Sequence, residues 1–180
     1  MIQTEPSDTQ SILKKRALLY ARELKREEEE TDQLTILEFH LGSEKYGIES
    51  NYVNRVHLLK DLTFLPGIPA FIRGIINVHG KITPVIDIKK FFEIPEQTQA
   101  QSDKVIIVTL DGAWFGLLAD DVLGLSLVPV SSIQSSLPTL SGVREAYLKG
   151  VTDDQVVILD PREWLKDKSL LVHEGGSPGG

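Results

Sequence analysis

From Leu34 onward apolar and polar residues alternate with a period of two, the mark of half-buried strands. Leu37, Phe39 and Leu41 fall on one face and Ile36, Glu38 and His40 on the other. Residues 105–110 and 113–119 repeat the pattern around Asp111-Gly112, a dipeptide suited to a two-residue hairpin turn because both positions tolerate positive φ. Further strands are predicted over 122–130, 146–152 and 155–159, the last after an Asp153-Asp154 turn. Before these strands the period changes. Over 11–30, Leu13, Ala17, Tyr20 or Ala21, and Leu24 recur at helical spacing opposite Lys14, Lys15, Arg22, Lys25 and Arg26. Ser7 with Gln10, or Asp8, would cap this helix, and Glu27 to Glu30 would fray its C-terminal end, where the dipole disfavours acids. A second, short helix starts at Asp160, with Pro161 at its first position and Glu163 completing an Asp-x-x-Glu box before Trp164.

The segment from Phe71 to Asp87 predicts a hairpin. A two-residue turn at His79-Gly80 would pair Val78 with Lys81 and Ile76 with Thr83, mixing both faces. A three-residue loop of Val78, His79 and Gly80 pairs Ile76 with Ile82, Gly74 with Pro84 and Ile72 with Ile86. That gathers one apolar face and leaves Arg73, Asn77, Lys81 and Thr83 on the other, so the pattern favours the three-residue loop. Such a loop is a type I turn followed by a left-handed residue, with Asn at its start and Gly at its end. A short hairpin with one apolar face needs a second layer to cover it.

A faint duplication runs through the chain. Tyr46-Gly47-Ile48 followed by Val53 matches Phe115-Gly116-Leu117 followed by Val122. Arg73-Gly74-Ile75 echoes Lys149-Gly150-Val151, and Asp87 with Phe91-Phe92 echoes Asp160 with Trp164-Leu165. Three anchors in one order predict duplicated β units, and two small barrels sharing an interface suit the short strands.

With 180 residues, 41% hydrophobic and 25% charged, the chain has enough core-forming material for one domain or two small ones. It has no cysteine, which excludes disulfides, thiolate metal sites and cysteine nucleophiles. No apolar run approaches a membrane span and no signal-peptide core is present, so the reading is cytoplasmic, without direct membrane insertion. A net charge of −7 with dispersed Lys and Arg argues against nucleic acid as a partner, since that needs a concentrated basic surface.

Chemistry is sparse. His40, His57, His79 and His173 form no i, i+4 ligand pair, so no metal site is predicted. Asp120-Asp121 and Asp153-Asp154 are neighbours that point apart on a strand or satisfy a turn locally. Ser131, Ser132, Ser135 and Ser136 lack a nucleophile elbow, no phosphate loop or dinucleotide fingerprint appears, and Trp114 and Trp164 read as core anchors. No catalytic residue and no cofactor is expected. The reading is a non-enzymatic binding module.

The Tyr46-Gly47-Ile48 strand, Val53, the Pro66 and Pro69 pair, and above all Gly74-x-x-Asn77-x-x-Gly80 with Pro84 and Asp87 resemble a CheW domain. The likeness runs from about Leu34 to Leu171. It implies a mainly β fold of two intertwined SH3-like five-stranded barrels plus short helices, here with an added N-terminal amphipathic helix. The expected division is 1–32 for tail and helix, 33–172 for the CheW-like domain and 173–180 for a Gly-rich tail. The resemblance also implies an adaptor that couples the cytoplasmic tips of methyl-accepting chemoreceptors to the regulatory domain of a CheA-type histidine kinase. It would be recruited to receptor arrays at the inner membrane and join other CheW-like domains in rings. Carried over residue by residue, Ile48, Val53 and Val56 fall where contacts of the first barrel are expected, and Gly74, Asn77 and His79 on the hairpin. Two positions depart from the family: Arg55 stands where an acidic residue is common, and His79 where arginine is common. If they face a partner, the complementary charge must differ. The rival reading is a small-barrel peptide or nucleic-acid module outside chemotaxis, which heparin or RNA retention would reveal.

Overall fold

The computed structural model describes residues 12–21, 32–94, 103–135 and 145–166. A helix, α1, covers residues 12–21 with every side chain exposed. The predicted cap at Ser7 and Gln10, the run Glu27 to Glu30 and the Gly-rich tail lie outside the described residues. Among the described residues the body is built of ten strands in two five-stranded sheets. Sheet A has the order β8-β1-β2-β10-β9, from β1 (Gln33–Leu41), β2 (Glu44–Glu49), β8 (Asp121–Pro129), β9 (Leu148–Val151) and β10 (Val157–Leu159). Sheet B has the order β3-β6-β7-β5-β4, from β3 (Val53–Leu58), β4 (Ile72–Val78), β5 (Lys81–Ile86), β6 (Lys104–Leu110) and β7 (Ala113–Ala119). Short helices α2 (Ile88–Phe91) and α3 (Pro161–Lys166) follow β5 and β10.

The two sheets trade strands. Sequence repeats one and two comprise β1–β5 and β6–β10, yet sheet A takes β1 and β2 from the first and β8 to β10 from the second. Sheet B takes the remainder. The exchange is sealed by two short parallel pairings, Val85↔Gly116 and Ile86↔Leu117 in one sheet and Val157↔Tyr46 through Leu159↔Ile48 in the other. Gly47 and Gly116 sit at these seams because a Cβ would lie 2.8 Å from Ile36 Cδ1 or 2.5 Å from Val105 Cγ1. Each sheet then closes on itself. The chain after β3 bridges back through Thr63↔Ile75, and the chain after β8 through Gln134↔Val151. At both closures a glycine is required, since a Cβ on Gly74 (φ 145°) would lie 2.3 Å from the Thr63 carbonyl oxygen and one on Gly150 (φ 156°) 2.6 Å from that of Gln134.

Three apolar clusters result. Ile76, Val78, Val85, Val105, Ile107 and Leu118 fill barrel B, and Ile36, Val128, Val156 and Ile158 fill barrel A. The largest cluster lies between the barrels and draws on both sheets, including Leu37, Phe39, Ile48, Ile106, Leu117 and Trp164. An aromatic stack of Phe91, Phe92, Tyr147 and Trp164 caps it, with Phe91 and Trp164 centroids 4.9 Å apart. Asp87 and Asp160 each cap the helix after them, accepting from Lys90 N at 3.2 Å and Arg162 N at 3.0 Å. Glu163 does not complete the predicted box; its carboxylate takes Lys166 instead.

The hairpin register differs from the sequence expectation. β4 and β5 pair Val78↔Lys81, Asn77↔Ile82, Ile76↔Thr83 and Gly74↔Val85, so the connection is the two-residue turn His79-Gly80. Both turn residues are left-handed (φ 52° and 82°), the type I′ geometry, and Asn77 Oδ1 accepts from Gly80 N at 2.7 Å. A bulge between Ile72 and Gly74 then restores Ile72↔Ile86. Thr83 therefore points inward at 0% exposure, its hydroxyl donating to the Lys81 carbonyl at 3.2 Å, and Ile82 points outward at 49%. Strands 146–152 and 155–159 are shorter than predicted, because residues Glu145–Tyr147 form a 3₁₀ turn and Gln155 is left-handed (φ 62°).

Candidate protein-docking cleft

β3 and β8 are edge strands of their sheets and occupy equivalent places in the two repeats. Directly paired residues on neighbouring strands share a face. Val53 pairs with Val108 and Val56 with Ile106, while Val122 pairs with Phe39 and Leu125 with Leu37. All four partners belong to the core between the barrels. Each edge strand thus sends one valine, Val53 or Val122, against the shared core and exposes the apolar residues that continue the same face. On β3 these are Val56 and Leu58, 43% and 50% exposed. On β8 they are Leu123, Leu125 and Leu127, 46%, 67% and 65% exposed. The sequence predicts 122–130 only as a strand and gives no sign that one face, with Leu123, Leu125 and Leu127, lacks cover.

An ion pair ties the start of β8 to β6, the neighbour of β3. Leu58 pairs with Lys104, and the Lys104 ammonium bonds the Asp121 carboxylate at the start of β8. The Lys104 hydrogen bond, then the Val122 N–H and the Lys104 charge, hold the Asp121 carboxyl below the usual aspartate range. The Asp121 hydrogen bond and charge raise Lys104 in turn, against a smaller opposing effect of burial. Asp120 points the other way. It accepts from Lys89 Nζ at 2.7 Å and from Gly42 N at 2.6 Å, linking α2 to the β1–β2 turn.

A second locus lies at the hairpin tip. The Arg55 guanidinium meets His79 Nε2 and donates through Nε to Asn54 Oδ1 at 3.0 Å. A guanidinium can only donate, so in this contact the imidazole nitrogen would have to accept. Arg55 makes no ion pair among the described residues. Of the residues expected from sequence, Arg55, Asn77 and His79 gather here, and Val53 and Val56 lie on the face of β3 that continues the shared core. Ile48 is fully buried in the shared core and Gly74 is buried at the barrel closure, so they shape the surface from beneath and leave no side chain for a partner.

No group of three potential metal ligands occurs among the described residues. One depression of about 660 Å³ is an open hollow beside the Ser43-Glu44 and Asp153-Gln155 turns. No helix among the described residues is long and apolar enough to cross a membrane.

Residues 35–169 match the family model of the CheW-like domain. The chain belongs to the CheW-like domain family. It is 26% identical over 146 residues to the chemotaxis protein CheW of Treponema pallidum, covering 77% of this chain and 86% of that protein. It is 32% identical to the protein FrzA of Myxococcus xanthus, covering 63% and 70%. The crystal structure of the scaffolding protein TtCheW from Thermoanaerobacter tengcongensis superposes with a TM-score of 0.63 at 35% identity, covering 71% of this chain and 84% of that one. The expectation of a mainly β, two-barrel CheW-like fold is met. As a CheW-like protein the chain is a non-catalytic chemotaxis adaptor, coupling chemoreceptors to the kinase CheA.

Proposed function

We propose that the cleft between β3 and β8 receives a helix from the cytoplasmic tip of a methyl-accepting chemoreceptor. The hairpin end of barrel B, with Arg55, Asn77 and His79, then meets the regulatory domain of a CheA-type histidine kinase. The observation that carries the reading is the uncovered apolar side chains of the two edge strands, Val56 and Leu58 on β3 and Leu123, Leu125 and Leu127 on β8, each set on the face that continues the shared core. Outward residues along a strand repeat every ~6.6 Å, close to the ~5.4 Å turn of a helix, so one apolar helix stripe engages successive wall residues. Arg55, which makes no ion pair among the described residues, favours an acidic residue on whatever meets it. In this reading 33–172 is the adaptor domain, 1–32 an appended arm and 173–180 a tail. The free barrel ends join other CheW-like domains in rings, and the protein reaches arrays at the inner membrane by binding receptors.

Co-sedimentation with a receptor-tip fragment and a CheA regulatory domain, separately and together, tests this. The double variant Val56→Asp, Leu125→Asp is expected to lose the tip and keep the regulatory domain. Tip binding unchanged in that variant would overturn the cleft assignment, and binding of neither partner by the unaltered chain would overturn the whole reading.

A further inference from the structure

The leucines of β8 and the apolar residues of α1 are both uncovered, and the chain ties them close together. Leu13, Ala17 and Tyr20 of α1 share one helix face, and Leu13 and Tyr20 are 59% and 65% exposed. Eleven residues, 22–32, join α1 to Gln33, and Gln33 pairs directly with Pro129 of β8. Leu127 and Leu123 therefore lie about 7 and 20 Å along β8 from the anchor point. A linker of this length reaches up to about 36 Å when extended. The ten-residue helix is about 15 Å long, and the leucine stripe from Leu123 to Leu127 measures about 13 Å. Charge adds to the fit: residues 12–21 carry Lys14, Lys15 and Arg16 with no acid, so a chain of net charge −7 leaves −10 on everything else.

We propose that α1 is an internal ligand of the β8 wall, its Leu13–Ala17–Tyr20 face seating on Leu123, Leu125 and Leu127, so that a receptor helix enters only by displacing it. The seating rests on the tether, the exposed faces and the charge; the displacement rests on the cleft being the receptor site. The arrangement described here, with α1 exposed, is the released form of the same equilibrium. A short tether presents the helix at an effective concentration on the order of millimolar, enough to populate a contact too weak to form between separate chains.

The chain contains no cysteine, so Lys15→Cys gives the full-length protein a single nitroxide label. Methyl NMR should show Leu123, Leu125 and Leu127 broadened by the label at every protein concentration, with Ile82, exposed on β5 of the other sheet, unaffected. The broadening should vanish when Leu13→Asp and Tyr20→Asp are added. Unaffected β8 leucines would overturn the proposal. So would broadening that grows with protein concentration, which assigns the contact to a second copy. The same two α1 substitutions, without the label, should tighten binding of a receptor-tip fragment by roughly tenfold; unchanged affinity would overturn the displacement. If neither form binds tips, the receptor reading falls while the NMR result still decides the seating.

Discussion

Single glycines decide whether each barrel closes. Gly74 and Gly150 combine positive φ with a backbone carbonyl where a Cβ would stand, whereas Gly80 has positive φ and open space around it. Gly74→Ala is therefore expected to cost at least about 3 kcal/mol, and Gly80→Ala only about 1 kcal/mol. Chemical denaturation of the two variants checks the ordering, and equal losses would contradict it. The sequence marks all three glycines alike; which of them has a neighbour in the way depends on segments 60–63 and 133–134 folding back. At the hairpin tip, Arg55 and His79 touch although each belongs to a residue type that carries positive charge. Exchanging them as Arg55→Glu with His79→Arg creates an ordinary ion pair and reverses the sign at the Arg55 position. Partner preference in receptor and kinase pull-downs should change, with stability altered by less than about 1 kcal/mol; unchanged preference would remove these positions from the interface.

At the level of strands and turns, most of the pattern was readable and the hairpin register was not. Counting inward residues back from Ile72↔Ile86 assumes an unbroken ladder, and the bulge at Arg73 shifts the count by one. The alternating pattern is sound on each side of the bulge and inverted across it, which is why Ile82 was placed inside and Thr83 outside. His79 also takes the left-handed conformation that the expected loop reserves for glycine, as Asp111 does in the other tight turn. Facing was legible; absence of cover was not, because an exposed leucine and a buried one look the same in the sequence. The ion pair between β6 and β8 carries a pH signature. Asp121, held low by Lys104, contributes its stabilisation above the usual aspartate range and loses it as pH falls through its depressed value. Lys104, held high, contributes below the usual lysine range and loses it as pH rises through its elevated value. The pair thus persists across neutral pH. A carbon-13 titration of the Asp121 carboxyl should give a midpoint below that of ordinary aspartate, moving up in Lys104→Met; an unmoved midpoint would break the attribution.

For the molecule as a whole, exchange of strands between repeats makes the barrels one cooperative unit. Trp164 lies in the shared core, while Trp114 packs against barrel B with Lys81 4.7 Å over its ring. Trp114→Phe and Trp164→Phe leave one fluorescent reporter each, and each variant should show the same unfolding midpoint by its remaining tryptophan as by circular dichroism. A barrel that melts on its own would separate the curves. Lys89 and Asp120 reinforce the union as a nearly buried pair tied to the β1–β2 turn, and Lys89→Met is expected to cost about 3 kcal/mol by leaving that carboxylate poorly compensated. The duplication was visible in the sequence through Gly47 and Gly116, Gly74 and Gly150, and Asp87 and Asp160; that the copies swap parts was not, since a repeat announces likeness and says nothing of who pairs with whom. The swap has a practical sequel. Cutting the polypeptide in the polar stretch between α2 and β6 would produce two pieces, neither of which contains a whole sheet. Each piece finds its missing strands only in the other, so this adaptor is a natural candidate for a split reporter whose halves light up on meeting.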